Sequence, residues 1–192
     1  SAAATWGNTA VVLRTSSDSG ATWSKARLIV PEHGIRHQPV TTVIQTRDGA
    51  IFLPCDAVPG GRGGTAIHIS RDGGKTWADP GEGKPQPEFR SGGVGAWIAG
   101  IHAGVVELKD GRLMAFGRGD AIDGHMPKSI SADGGATWTY SPTPFPPIGG
   151  GQRLVLLRLA EGPILLASFA KGMPVKDASG KERPVSGLFG AI

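Results

Sequence analysis

One octapeptide pattern, Ser-x-Asp-x-Gly-x-Thr-Trp, is written three times in this chain: "SSDSGATW" from Ser16 to Trp23, "SRDGGKTW" from Ser70 to Trp77 and "SADGGATW" from Ser131 to Trp138. The copies start 54 and 61 residues apart, the range in which an internal repeat signals propeller blades or solenoid units. A second punctuation keeps the same rhythm. Asp48-Gly49, Asp110-Gly111 and Glu161-Gly162 each separate two apolar runs, as hairpin turns do.

The repeat restricts the chain to many short strands, and composition agrees. With 31 Gly and 15 Pro in 192 residues, long helices are disfavoured and tight turns are plentiful. The expected fold is all-β. One unit reads as strand A (Pro39 to Gln45), a hairpin, strand B (Ala50 to Cys55), a Gly-rich loop, strand C (Thr65 to Ile69), the octapeptide, and strand D from Thr76. That is a four-stranded antiparallel blade of a β-propeller. The boundaries follow: a partial blade at 1–35, blades at 36–100 and 101–148, and a partial blade at 149–192, about three and a half blades in all. Within each octapeptide, Asp18, Asp72 and Asp133 are expected to accept backbone N–H bonds inside their own turns, and Trp23, Trp77 and Trp138 to pack between strands or blades.

Several classes of function are disfavoured at once. The net charge of +4 is spread over 20 basic and 16 acidic residues with no basic run, so no nucleic-acid partner is expected. No membrane span is expected, because the richest apolar stretch, "LVLLRLAEGPILLASFA", is broken by Arg158 and Glu161. The single Cys55 has no metal-ligand spacing and reads as a small buried apolar residue. No cofactor or metal is expected; a site among His37, Asp56 and His102 lacks a local ligand motif. The opening "SAAATW" has no signal-peptide pattern, so either a leader has been removed or the chain starts inside a larger protein.

The octapeptide resembles the Asp-box, or bacterial neuraminidase repeat, of the sialidase superfamily. "HAGVVELKDGRLMAFGRGD" (102–120) and "GGGQRLVLLRLAEGPILLASFA" (149–170) are similar to two successive inner hairpins of that family. The resemblance implies a six-bladed propeller, of which this chain is a fragment, or else two chains that pair to close a ring. It implies a secreted or periplasmic location and a carbohydrate partner. It also places Arg118 at the second position of an arginine triad that holds the substrate carboxylate, and Arg183 at the third. The family's Glu, which activates a tyrosine nucleophile, falls on His102 here. The sole tyrosine, Tyr140, lies on an outer strand just after Trp138 and is a poor nucleophile.

Geometry narrows the search. Hairpins and octapeptides turn at one end of each blade, so the other end gathers the starts of A, the ends of B and the B–C loops. That end collects Arg36, His37, Asp56, His102, Arg118, Asp120, Gln152, Arg153 and Lys171, with Arg62, Asp123, His125 and Lys128 on the loops. The candidate catalytic groups are His102, Asp56 and Asp120; the candidate substrate-binding groups are Arg118, Arg36, His37, Arg153, Arg183 and Lys128. Each has a plainer reading: an arginine paired with a neighbouring acid, a hydrogen-bonded inner-strand histidine, an aspartate capping a turn. A basic, histidine-rich set with two carboxylates suits an anionic sugar. The reading is a sialidase-like glycoside hydrolase or relative, with Asp56 or Asp120 as acid or base. Two alternatives stay open: a uronate lyase in which His102 abstracts a proton, and a noncatalytic glycan- or protein-binding propeller.

Overall fold

The computed structural model describes all residues except 1–8, 35, 37 and 59–61. Among the described residues there is no α-helix, and thirteen strands form four antiparallel sheets, none closed on itself. Strands β1 (Thr9–Leu13) and β2 (Arg27–Gly34) make the first. The second runs in order β3 (Ile44–Gln45), β4 (Ile51–Asp56) and β5 (Thr65–Ser70). In the third, β7 (Ile101–Glu107), β8 (Leu113–Arg118), β9 (Pro127–Ser131) and β10 (Trp138–Pro142) follow one another, and β6 (Val94–Gly95) closes the outer edge. The fourth holds β11 (Val155–Arg158), β12 (Ile164–Lys176) and β13 (Glu182–Ala191).

Side-chain alternation explains how four sheets share three cores. Successive residues of a strand point to opposite faces. In β4, Phe52 enters the central cluster with Ile67, Ile69, Val105, Leu113 and Trp138. Its neighbours Leu53 and Cys55 face the other way, into a cluster with Val11, Ala66 and Trp97. In β8, Leu113 and Ala115 join the central cluster, whereas Phe116 packs with Met126, Leu154 and Leu156 against the fourth sheet. Both faces of β4, β7 and β8 are therefore apolar, and the sheets stack with β7 between β4 and β11.

The octapeptides form hydrogen-bonded clasps. Ser70 Oγ donates to Asp72 (2.8 Å) and accepts from Gly74 N (2.8 Å), while Asp72 also takes Thr76 N (2.9 Å) and Thr76 Oγ1 (2.6 Å). Ser16, Asp18, Gly20 and Thr22 repeat this pattern, as do Ser131, Asp133, Gly135 and Thr137. Each later clasp sits against the preceding sheet. Arg27 bonds the carbonyls of Gly74 and Lys75, and Arg71 bonds that of Gly134 (3.1 Å). A Cβ on Gly135 would lie 3.1 Å from both Phe52 and Ile69, so the third clasp needs glycine there for contact as well as for its positive φ.

Two expectations about elements need correcting. Strand A, expected over residues 39–45, is regular only at Ile44–Gln45, with a single bridge from Pro39 to Cys55. Pro54 explains this: its carbonyl accepts Val40 N (3.2 Å), so its missing N–H would have faced the same neighbour. Strand D from Thr76 is reduced to one bridge, Ile69 to Ala78, because "ADPGEGKPQP" supplies prolines and glycines in place of ladder donors. Beyond these, "KDASGKERPVSG" forms the tip and return strand of a long hairpin, with Asp177 N bonding Lys181 O (2.9 Å).

Candidate functional site

The end of the sheets away from the clasps brings together residues from three strands. Asp56 and Arg118 occupy equivalent places, as the last residues of β4 and β8. His102 is the second residue of β7, on a bulge where the ladder passes from Ile101↔Arg118 to Gly104↔Phe116 with one extra residue on β7. Its φ is +52°, a left-handed conformation uncommon for a residue with a Cβ and often found at functional sites. His102, Asp56 and Arg118 are only 8%, 9% and 9% exposed.

Arg118 Nη2 lies 3.3 Å from His102 Nδ1. A guanidinium can only donate and a neutral imidazole has one acceptor nitrogen, so the ring accepts from Arg118 at Nδ1 or from Arg153 at Nε2, not from both. Nε2 lies 3.3 Å from Asp56 Oδ1, and Arg153 Nη1 approaches the same nitrogen at 3.5 Å. The Asp56 contact is an ion-pair distance without hydrogen-bond alignment. Asp56 Oδ1, Arg118 Nε and Gln38 Oε1 are accordingly buried with no hydrogen-bond partner, and Gln38 O accepts Asp56 N (3.2 Å). Buried polar atoms are normally satisfied, and three of the unpartnered ones among the described residues belong to residues at this end, the others being Trp138 Nε1 and Ser168 Oγ.

Electrostatics point the same way. Burial raises the Asp56 carboxyl above the usual aspartate range, opposed by Arg118 and Arg153. Burial also lowers Arg118, with Asp56 pulling it back. Asp120, just beyond β8, is likewise raised by burial, against a bond from Gly63 N (3.3 Å) and the charge of Arg62. It bridges two loops and makes no hydrogen bond to His102.

The remaining candidates separate. Arg36 is bound to Asp79 through two bonds of 2.6 and 2.9 Å and stacks 4.9 Å from the centre of the Trp97 ring, the plainer reading of that residue. Arg183 lies on exposed β13, paired with Asp177 at 2.7 Å. Lys128 stands half-buried opposite Phe116 on β9 and makes no ion pair among the described residues. His37 lies outside the described residues. Tyr140 is buried and donates to Trp97 O (2.7 Å), and burial keeps its hydroxyl protonated far above neutrality. Burial likewise pushes the Cys55 thiol up to about 12. No group of three or more His, Cys, Asp or Glu among the described residues is placed to hold a metal ion.

Two contributors to this end carried no sequence signal. Gln38 is an ordinary polar residue ahead of a strand. Thr65 opens β5 directly across from Asp56; its Oγ1 donates to Gly100 O (2.8 Å) and accepts from Ala103 N (3.1 Å). Only the folded ladder shows what these residues touch.

Comparison with known proteins gives a family. No curated protein matches the chain. A crystal structure of a protein of unknown function from Dyadobacter fermentans DSM 18053 is similar at 19% identity and a TM-score of 0.39, over 83% of this chain and 64% of that one. This chain thus spans less than two thirds of that protein's length. The BNR repeat-like domain matches residues 1–171, and with nearly the whole of its length so matched, the chain belongs to the BNR repeat-like family.

Proposed function

We propose that the four sheets are blades of a sialidase-like β-propeller, and that the His102 end binds an anionic sugar and hydrolyses its glycosidic bond. The observation that carries this reading is the His102 bulge: a strained, buried imidazole held between two arginines and a carboxyl whose buried Oδ1, 3.3 Å from the ring, has no hydrogen-bond partner. In this reading Arg118 and Arg153 attract the sugar carboxylate through charge-assisted hydrogen bonds. Asp56, which keeps its proton to higher pH than an ordinary aspartate, protonates the departing glycosidic oxygen. Its partner carboxylate is either Asp120 or a residue outside this segment.

His102 serves as the hub that spaces these groups. With a guanidinium against each ring nitrogen, the one lone pair of the neutral ring is engaged in either tautomer, which weakens a lyase reading that makes it the base. Tyr140, with its hydroxyl committed to Trp97, is not assigned a catalytic role. The proposed unit boundaries stay at 1–35, 36–100, 101–148 and 149–192, with β6 crossing into the sheet of the unit that follows it.

The test uses aryl glycosides of N-acetylneuraminic and glucuronic acid. Wild-type protein should release the aryl group from one of them, and Arg118→Ala should cut kcat/KM by roughly 100-fold. On a 4-linked glucuronate oligosaccharide, loss of the C5 proton with departure of the 4-O-linked sugar would give an unsaturated product absorbing in the ultraviolet and turn the reading to a lyase, and retention of sugar without turnover would turn it to a binding module. Full binding and turnover in Arg118→Ala would remove the site from this end altogether.

A further inference from the structure

We infer that Thr65 is the positioning residue that holds His102 in its left-handed conformation and sets it against Asp56; the catalytic consequence rests on the function proposed above, whereas the geometric one does not. The need for such a residue comes from the bulge. Between the pairs Ile101↔Arg118 and Gly104↔Phe116, β7 has one residue more than β8, so the regular ladder leaves a backbone group there without its usual partner. Ala103 N is bonded instead by Thr65 Oγ1 at 3.1 Å, and the same hydroxyl donates to Gly100 O at 2.8 Å. One side chain thus fastens the backbone on both sides of Ile101 and His102.

Thr65 is itself fixed. It is 0% exposed, its backbone N and O are both bonded to Ile98 (2.9 and 3.0 Å), and it pairs across the ladder with Asp56. The residue that faces Asp56 is therefore the one that shapes the His102 bulge, which couples the positions of the two groups through about one side chain's length. The β-branched side chain limits Thr65 to few rotamers, so its hydroxyl is aimed without further support. Glycines at 100 and 117 permit the close approach: a Cβ on Gly117 would stand 2.2 Å from Ala99 O.

Thr65→Val keeps the shape and removes the hydroxyl; Thr65→Ser keeps the hydroxyl. In nitrogen-labelled protein, Thr65→Val should shift the His102 ring resonances and their pH titration, and Thr65→Ser should restore them. On whichever aryl glycoside the wild type cleaves, Thr65→Val should lower kcat about tenfold with KM little changed. If Thr65→Val is folded and leaves the His102 resonances and titration as in wild type, the inference is overturned. A His102 shift in a protein that cleaves no glycoside would sustain the positioning role and reject the proposed hydrolase. Hydrogen exchange on wild-type protein gives a test that no variant's folding can spoil: the Ala103 amide should be protected as a ladder amide is, and exchange at the rate of an open loop would defeat the inference.

Discussion

Asp72 and Asp56 belong to the same sheet, at opposite ends of β5 and its neighbour, and they have opposite fates. Asp72 is exposed, yet its carboxylate accepts bonds from Thr76 N, Thr76 Oγ1, Lys75 N and Ser70 Oγ, with the Thr76 hydroxyl the largest influence holding it well below the usual carboxylate range. Asp56 is buried, has one oxygen without a partner, and is shifted upward by that burial. The difference is one of supply: a turn of consecutive backbone N–H groups surrounds the first, and two arginines shared with a histidine surround the second. The Asp72 carboxylate is locally satisfied by its own turn. At the other end local satisfaction is given up, the arrangement expected where structure is held for a ligand.

The clasp end contains its own graded comparison, which yields the largest predicted effect. Trp138 is 0% exposed within the central cluster, while Trp23 is 56% exposed with its Nε1 donating to Gly20 O (3.1 Å). Trp138→Ala should cost about 3–5 kcal/mol in chemical denaturation, and Trp23→Ala under about 1 kcal/mol. Equal losses would mean that the octapeptide, rather than its burial between sheets, sets the energy. Next in size is Ser131→Ala. Ser131 is buried and its hydroxyl both donates to Asp133 and accepts from Gly135 N, so its removal should cost about 1–3 kcal/mol by the same measurement. Ser16→Ala, in the exposed copy, should cost less.

The two ends were also unequally legible. The clasps could be read because every participant lies within eight residues, and because the pattern recurs; the partners of Asp18, Asp72 and Asp133 are spelled out beside them. The hairpins at Asp48, Asp110 and Glu161 were legible for the same reason. The other end depends on register. That Asp56 and Arg118 terminate equivalent strands follows from the repeat, but the bulge that turns His102 toward both is a one-residue slip between β7 and β8, without a mark in the sequence. Arg36 was grouped with the site by its place ahead of strand A, yet Asp79, 43 residues away, binds it. Arg183 was placed by resemblance through a segment that folds as the exposed arm of a hairpin. Thr65 and Gln38 went unnoticed because a threonine and a glutamine announce nothing until their neighbours are known.

The smallest effect is the sharpest test of the contrast between the ends, because it predicts opposite pH dependences for one residue type. The folded-state carboxyl of Asp56 is raised above its ordinary 3.8, so its contribution to stability is fully present below the unfolded value and is lost as pH rises through the folded one. Asp56→Asn removes that loss. The variant should melt slightly higher than wild type near neutrality, and the gap should close as pH falls below about 4. Asp18 runs the other way: bonds from Thr22 hold it at about 2, so its contribution is present above the ordinary 3.8 and is lost only as pH falls through about 2. Asp18→Asn should therefore lower the melting temperature at neutral pH, with its deficit shrinking only in strong acid. Melting curves of the two variants across this range decide the matter. Curves of the same sign would show that the two ends treat an aspartate alike, and the unpartnered Asp56 oxygen would then lose its standing as the sign of a site.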